Sequence, residues 1–247
     1  MPIYEGGYKL APLAHAISRA YRPSTLMLHI DAGIDSSGKS LDPTGDVPDT
    51  NNATHGINNG VVSWAFDGTN DLILFNEDAR WRAHSDYTLA VWCDHRTDGR
   101  EGIISQFMDG TGEAKFNWML DPGGGYHQNP SPTYNYGGSY GDPDTSYYTT
   151  NAWHFHACTY DGAHIKFYHP DANSFPDSLK DAWTDDLSGR SHSFAFGGRN
   201  DGLAAEFFHG YISMAWYYSV ALSTTEIRAL FDETKARHSV TTNLFEG

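Results

Sequence analysis

Of 247 residues only two are cysteine, only 16 are Lys or Arg, and none of the apolar runs is long. Each shortage excludes something. Cys93 and Cys158 are too few for a disulfide scaffold, and no Cys-x-x-Cys pair exists for a zinc knuckle or a thioredoxin-type site. Both fall in strand-like segments and read as small buried core residues. With 31 acids against 16 bases the net charge is −15. Duplex binding needs bases to replace phosphate counterions, and an anionic membrane surface repels such a chain, so neither nucleic acid nor membrane is expected as a partner. No apolar run reaches the 18 or so residues of a membrane span. The first 21 residues are interrupted by Lys9, His15, Ser18 and Arg19, so no signal-peptide core is expected there.

Against these shortages stand 14% aromatics, 25 glycines and only 19% charged residues. That mixture fits an all-β globular body and argues against disorder. Residues 1–25 differ from it. Three bases against one acid give them +2, leaving −17 on the rest. Leu13, Ile17 and Tyr21 recur every four residues, the single stripe of a two-turn helix that must pack on something. Residues 1–25 are therefore read as an arm, 26–240 as the body and 241–247 as a tail.

From Leu26 the apolar period is two. Strands are expected at Leu26–Asp31, Val61–Phe66, Leu72–Phe75, Tyr87–Cys93, Gly102–Phe107, Lys115–Leu120, Trp153–Tyr160, His164–Tyr168, Phe194–Gly198 and Phe207–Tyr218. Residues 31–60 and 121–150 read as long loops. Asp161-Gly162 is a hairpin signal. Ser223-Thr-Thr-Glu226 is a capping box opening a helix whose buried stripe is Ile227, Leu230 and Phe231, with Leu222 as its staple.

The sites that would carry chemistry are few. No Glu-x-Asp-x-x-Glu array places two acids on one strand for glycoside hydrolysis, no Gly-x-Ser-x-Gly elbow exists, and Gly123-Gly-Gly125 precedes neither Lys nor a helix start. No catalytic residue is assigned, and the chain is expected not to be an enzyme. His154 and His156 alternate along one strand. They read as a polar face opposite core-facing Trp153, Phe155 and Ala157, and no metal ligand is assigned. Asp67 and Asp71 flank a turn that side-chain-to-backbone bonds explain. No cofactor is expected, with calcium in the acidic loops as the alternative. Tyr126, His127, Tyr134, Tyr136, Tyr140 and Tyr147 lie in a Gly/Tyr/Asn-rich stretch of the composition that binding surfaces use.

The ordered segments Leu26–Gly33, Phe66–Asp71, Tyr87–Trp92, Trp153–Gly162 with Lys166–Tyr168, Phe208–Ser213 and Tyr218–Ile227 resemble the laminin-G-like, concanavalin-A-like jelly roll of the kind found in phage structural proteins. The resemblance spans residues 26–238. It implies a jelly-roll β-sandwich of two antiparallel sheets with a short C-terminal helix. Function within such a fold is set by its sites. The leading expectation is a non-catalytic virion protein, a capsid decoration (cement) or tail-associated module. It would be made in the host cytoplasm and docked on capsid or tail proteins through Leu13, Ile17, Arg19, Tyr21 and Arg22. Such a protein is expected as a homo-oligomer or in many copies on a particle. The alternative is a lectin-like adhesion module that binds host glycans through residues 121–150. A polysaccharide-cleaving enzyme with an acid pair formed only in space is the third reading.

Overall fold

The computed structural model describes residues 26–32, 50–75, 86–97, 101–107, 114–121, 125–129, 140–141, 150–162, 164–168, 177–181, 193–198 and 206–238. The expected arm and the five residues expected to dock it, Leu13, Ile17, Arg19, Tyr21 and Arg22, lie outside them, as do Tyr134, Tyr136 and Tyr147. Fifteen strands are described: β1 (Leu26–Asp31), β2 (Thr50–Asn51), β3 (Thr54–Asn58), β4 (Val61–Asp67), β5 (Ile73–Phe75), β6 (Tyr87–His95), β7 (Glu101–Phe107), β8 (Ala114–Asp121), β9 (Gly125–Asn129), β10 (Tyr140–Gly141), β11 (His154–Tyr160), β12 (His164–Tyr168), β13 (Asp177–Asp181), β14 (Ser193–Phe196) and β15 (His209–Tyr218). One helix follows, α1 (Thr224–Thr234), continued by a single 3-10 turn over Lys235–Arg237. No helix among the described residues is long and apolar enough to cross a membrane.

Two antiparallel sheets form the sandwich. One runs β13-β12-β11-β6-β15-β4-β3, with β1 paired to the second half of β15, and the other runs β10-β9-β8-β7-β14-β5-β2. The period-two alternation explains the layers. Leu89, Val91 and Cys93 of β6 meet Phe194 and Phe196 of β14 and Ile103 and Ile104 of β7 in the core between the sheets. Ala90 and Trp92 point the other way, beneath Ile227, Leu230 and Phe231 of α1. Every residue of β6 is therefore buried. Each large apolar side chain removed from water this way contributes roughly 1.5–3 kcal/mol.

The long strand β15 keeps both faces apolar by a bulge. Its register to β6 slips between Ile212 and Met214. Ile212 and Ala215 both face the inter-sheet core, while Met214 and Trp216 face α1. Ser213 is the extra residue, and the slip moves every later side chain to the opposite face.

Three sequence expectations need correction. The stretch 31–60 is not all loop, because Thr54–Asn58 forms an edge strand paired with β4. Its turn, Asn59-Gly60, has both residues at positive φ (49° and 79°), the twist a tight hairpin needs. The stretch 121–150 likewise contains β9 and β10. Tyr126 pairs with Leu120, His127 with Met119 and Tyr140 with Gln128, so these three stand in strands of the smaller sheet and not in a loop. Finally, His154 and His156 are not a solvent face. They share a strand face with Cys158 and Tyr160 of the inter-sheet core, and His156 is buried. Phe155 and Ala157 face α1 instead, because the helix makes both sides of β11 interior.

Candidate functional site

Where β4, β6 and β15 end together, the backbone leaves a cavity of about 320 Å³ lined by Ala65, Phe66, Arg96, His209, Gly210 and Tyr211. Such a volume lies at the lower end of the roughly 300–1,000 Å³ typical of small-molecule sites. Register builds it. His209 pairs with Asp67 and Tyr211 with Ala65 on one side, and Tyr211 pairs with Asp94 on the other. Gly210 makes the close approach possible: a Cβ there would stand 2.2 Å from the Asp94 carbonyl oxygen. Past the end of β6 the chain stays tied to β15, because the Arg96 amide donates to the His209 carbonyl at 2.9 Å.

Arg96 is held from four directions. Its Nη1 donates to Asn151 Oδ1 at 2.7 Å, and its Nη2 donates to Asn58 Oδ1 at 2.8 Å and to Asp94 Oδ2 at 3.1 Å. The guanidinium also lies over the Tyr211 ring, 4.8 Å from the centroid. Asn58 closes the circuit by donating from Nδ2 to Asp94 Oδ2 at 2.6 Å. Asp94 is fully buried, and a buried carboxylate without such partners would cost several kcal/mol. Each element supplies its residue for a local reason. Asn58 precedes the positive-φ hairpin turn, and Asn151 itself sits at φ 64°, a conformation asparagine tolerates. The Asn151 amide is anchored to the His95 carbonyl at 2.8 Å.

The cavity thus offers a half-buried tyrosine ring, a pinned arginine, an exposed histidine and backbone edges. No carboxylate is among the described residues that line it.

A second arrangement looks reactive and is not. Ser213 Oγ donates to His238 Nε2 at 2.6 Å, and His238 Nδ1 donates to the Thr234 carbonyl at 3.0 Å. Both residues are buried, and the imidazole stacks on Trp92 at 3.9 Å. Burial holds the His238 imidazole down to about 3, so it stays neutral. Arg237 grips Asp31 through both terminal nitrogens at 2.8 Å, and Trp92 Nε1 donates to Thr234 Oγ1 at 2.7 Å. This is the clasp that fastens α1 to the sheet.

The remaining sequence candidates fall into place separately. Asp67 Oδ1 accepts from the Thr69 and Asn70 amides, and Asp71 Oδ2 accepts from the Asp67 amide, so the turn is held by side-chain-to-backbone bonds. Loss of hydration raises the Asp71 carboxyl above its ordinary value. Imidazoles of His95, His154 and His156 follow one another at 6.0 and 5.7 Å. No group of three or more His, Cys, Asp or Glu among the described residues is arranged to hold a metal ion. Cys93 and Cys158 are free and buried, and burial pushes the Cys158 thiol far up. Tyr126, His127 and Tyr140 come together at the β8-β9-β10 edge of the smaller sheet, whereas the cavity belongs to the larger one. Asn58, Arg96, Asn151, His209 and Tyr211 were not singled out in the sequence. The signals available were Asn59-Gly60 and the alternation of Asp94 and Arg96 past the end of an apolar strand.

The family model for the concanavalin A-like lectin/glucanases superfamily matches residues 67–228. No curated protein matches the sequence. Among solved structures, domain 4 of AbnA, a GH43 extracellular arabinanase from Geobacillus stearothermophilus in complex with arabinotriose, is similar at TM-score 0.59 and 17% identity, over 83% of this chain and 98% of that one. The ligand binding domain of botulinum neurotoxin serotype D, in complex with N-acetylneuraminic acid, is similar at TM-score 0.58 and 15% identity, over 90% and 53%. Trypanosoma rangeli sialidase in complex with sialic acid is similar at TM-score 0.56 and 17% identity, over 88% and 34%. The chain therefore spans about a third of the sialidase and half of the toxin domain, and at these identities the likeness is one of fold.

Proposed function

Because the chain belongs to the concanavalin A-like lectin/glucanases superfamily, we propose that it is a non-catalytic, lectin-like module that binds a saccharide in the cavity between β4, β6 and β15. The observation that carries this is the Arg96–Tyr211 pair, fixed by Asn58, Asp94 and Asn151 on the wall of a 320 Å³ cavity. A flat ring beside a rigid donor is what a sugar's apolar face and hydroxyls require, and pre-ordering both lowers the entropy lost on binding. The arabinotriose complex among the similar structures is in keeping with it. The absence of a carboxylate among the described lining residues supports a non-catalytic role. A glycan array probed with the protein tests binding, and incubation with the same polymers tests catalysis. Retention of at least one saccharide class without new reducing ends is expected. An array without signal overturns the reading, and released reducing ends overturn its non-catalytic half. Binding is expected to survive EDTA, since the described lining residues include no carboxylate and no metal-holding group of His, Cys, Asp or Glu occurs among the described residues.

A finer reading is that the module works on a virion, carried there by residues 1–25. It draws on the contrast of +2 on the arm and −17 on the body. Deleting residues 1–25 should abolish particle attachment and leave the body folded; attachment that survives the deletion contradicts it.

A further inference from the structure

Among the described lining residues Arg96 is the one fixed cation, and the way its hydrogens are spent decides what it recognises. A guanidinium grips a carboxylate with two parallel hydrogen bonds, either end-on through Nη1 and Nη2 or side-on through Nε and Nη2. Both grips need one hydrogen of Nη2. Nη2 has two hydrogens, and Asn58 Oδ1 at 2.8 Å and Asp94 Oδ2 at 3.1 Å take them. Nε is buried. One hydrogen of Nη1 remains beyond the bond to Asn151, and a single hydrogen makes a single bond.

The charges around the site act in the same direction. Buried Asp94 neutralises Arg96 at 3.1 Å, so the pair presents no net positive charge. Asp67 stands opposite His209 across the β4–β15 register, and Asp71 accepts the Asp67 amide at 2.9 Å. Asp67 thus stands beside one lining residue, with Asp71 bonded to it, on a body that already carries an excess of negative charge. An anionic ligand would meet repulsion there without a bidentate grip to offset it.

We infer that this cavity selects uncharged, hydroxyl-bearing saccharides and excludes sialic and uronic acids, with Asn58 and Asp94 as the residues that set the selection by occupying Nη2. The inference rests on the proposed glycan-binding role and deepens it. Arg96 serves as a brace for Tyr211 and a single-hydrogen donor to a hydroxyl, not as a carboxylate clamp.

An array carrying matched neutral, sialylated and uronic-acid oligosaccharides tests this directly, followed by solution titration of Asn58→Ala and Ile57→Ala. Wild type should bind neutral saccharides and ignore the acids. Asn58→Ala frees an Nη2 hydrogen and should raise affinity for acidic saccharides about tenfold, the worth of one added charge-assisted hydrogen bond. Ile57→Ala, at an exposed position beside Asn58 that does not line the cavity, should leave the selectivity unchanged. It serves as the control for a general loosening of the β3 edge. Acidic saccharides bound by wild type as well as neutral ones, or an equal gain in both variants, would overturn the inference while leaving the glycan-binding role intact. No binding to any saccharide overturns that role, and the inference falls with it.

Discussion

Gly210 shows how one hydrogen atom in place of a methyl shapes the site. Its backbone lies so close to β6 that a Cβ would meet the Asp94 carbonyl oxygen at 2.2 Å and His95 Cα at 2.9 Å. Both contacts are with backbone, which cannot swing aside. Gly210→Ala is therefore expected to cost about 3 kcal/mol, at the upper end for overpacking, measured as a drop in the urea midpoint. His238 makes a second prediction at this scale. Its folded value is about 3 against 6.5 for the unbound side chain, because burial disfavours the cation. As pH falls through 6.5 the unfolded chain takes up a proton that the folded chain refuses. Stability should thus be flat above 6.5 with respect to this group and fall by about 1.4 kcal/mol per pH unit from there toward 3. Comparing urea unfolding of wild type and His238→Gln at pH 7.5 and 5 isolates it. Equal pH dependence in the two proteins would contradict the assignment.

Among the elements, α1 and β3 mark the extremes of what local sequence can announce. The capping box is present as read: Glu226 N reaches Ser223 Oγ at 3.4 Å and the Ser223 amide donates to Glu226 Oε2 at 2.8 Å. Ile227, Leu230 and Phe231 are the buried stripe. That helix was readable because its whole signal lies within nine residues. Strand β3 was not, since Thr-His-Gly-Ile-Asn lacks alternation and its isoleucine, Ile57, is 74% exposed at the sheet edge. The two isoleucines make a paired prediction. Ile227→Ala should cost about 3 kcal/mol and Ile57→Ala under about 0.5 kcal/mol, by urea denaturation. Similar losses at both would show that α1 does not cap the sheet. The Arg96 network escaped notice for a related reason. Arg96 reaches Asn58 and Asn151 across 38 and 55 positions of sequence, and nothing periodic links three single polar residues at element ends. Only the sheet order β4-β15-β6 brings them together.

At the scale of the whole molecule, strand alternation and the order of motifs announced two antiparallel sheets and a terminal helix, and the β6 pattern explains why. Its side chains alternate between the inter-sheet core and the α1 core, so one strand specifies both layers. The sandwich is the frame, and the proposed site lies where β4, β6 and β15 end. On this account the protein recognises a ligand and does not transform it. Calorimetric titration of the best-bound neutral oligosaccharide into wild type and Tyr211→Ala tests that claim most directly. The account predicts saturable one-to-one binding by wild type, weakened about tenfold or more in the variant, with unfolding midpoints nearly unchanged. Undiminished binding by the Tyr211→Ala protein would contradict it.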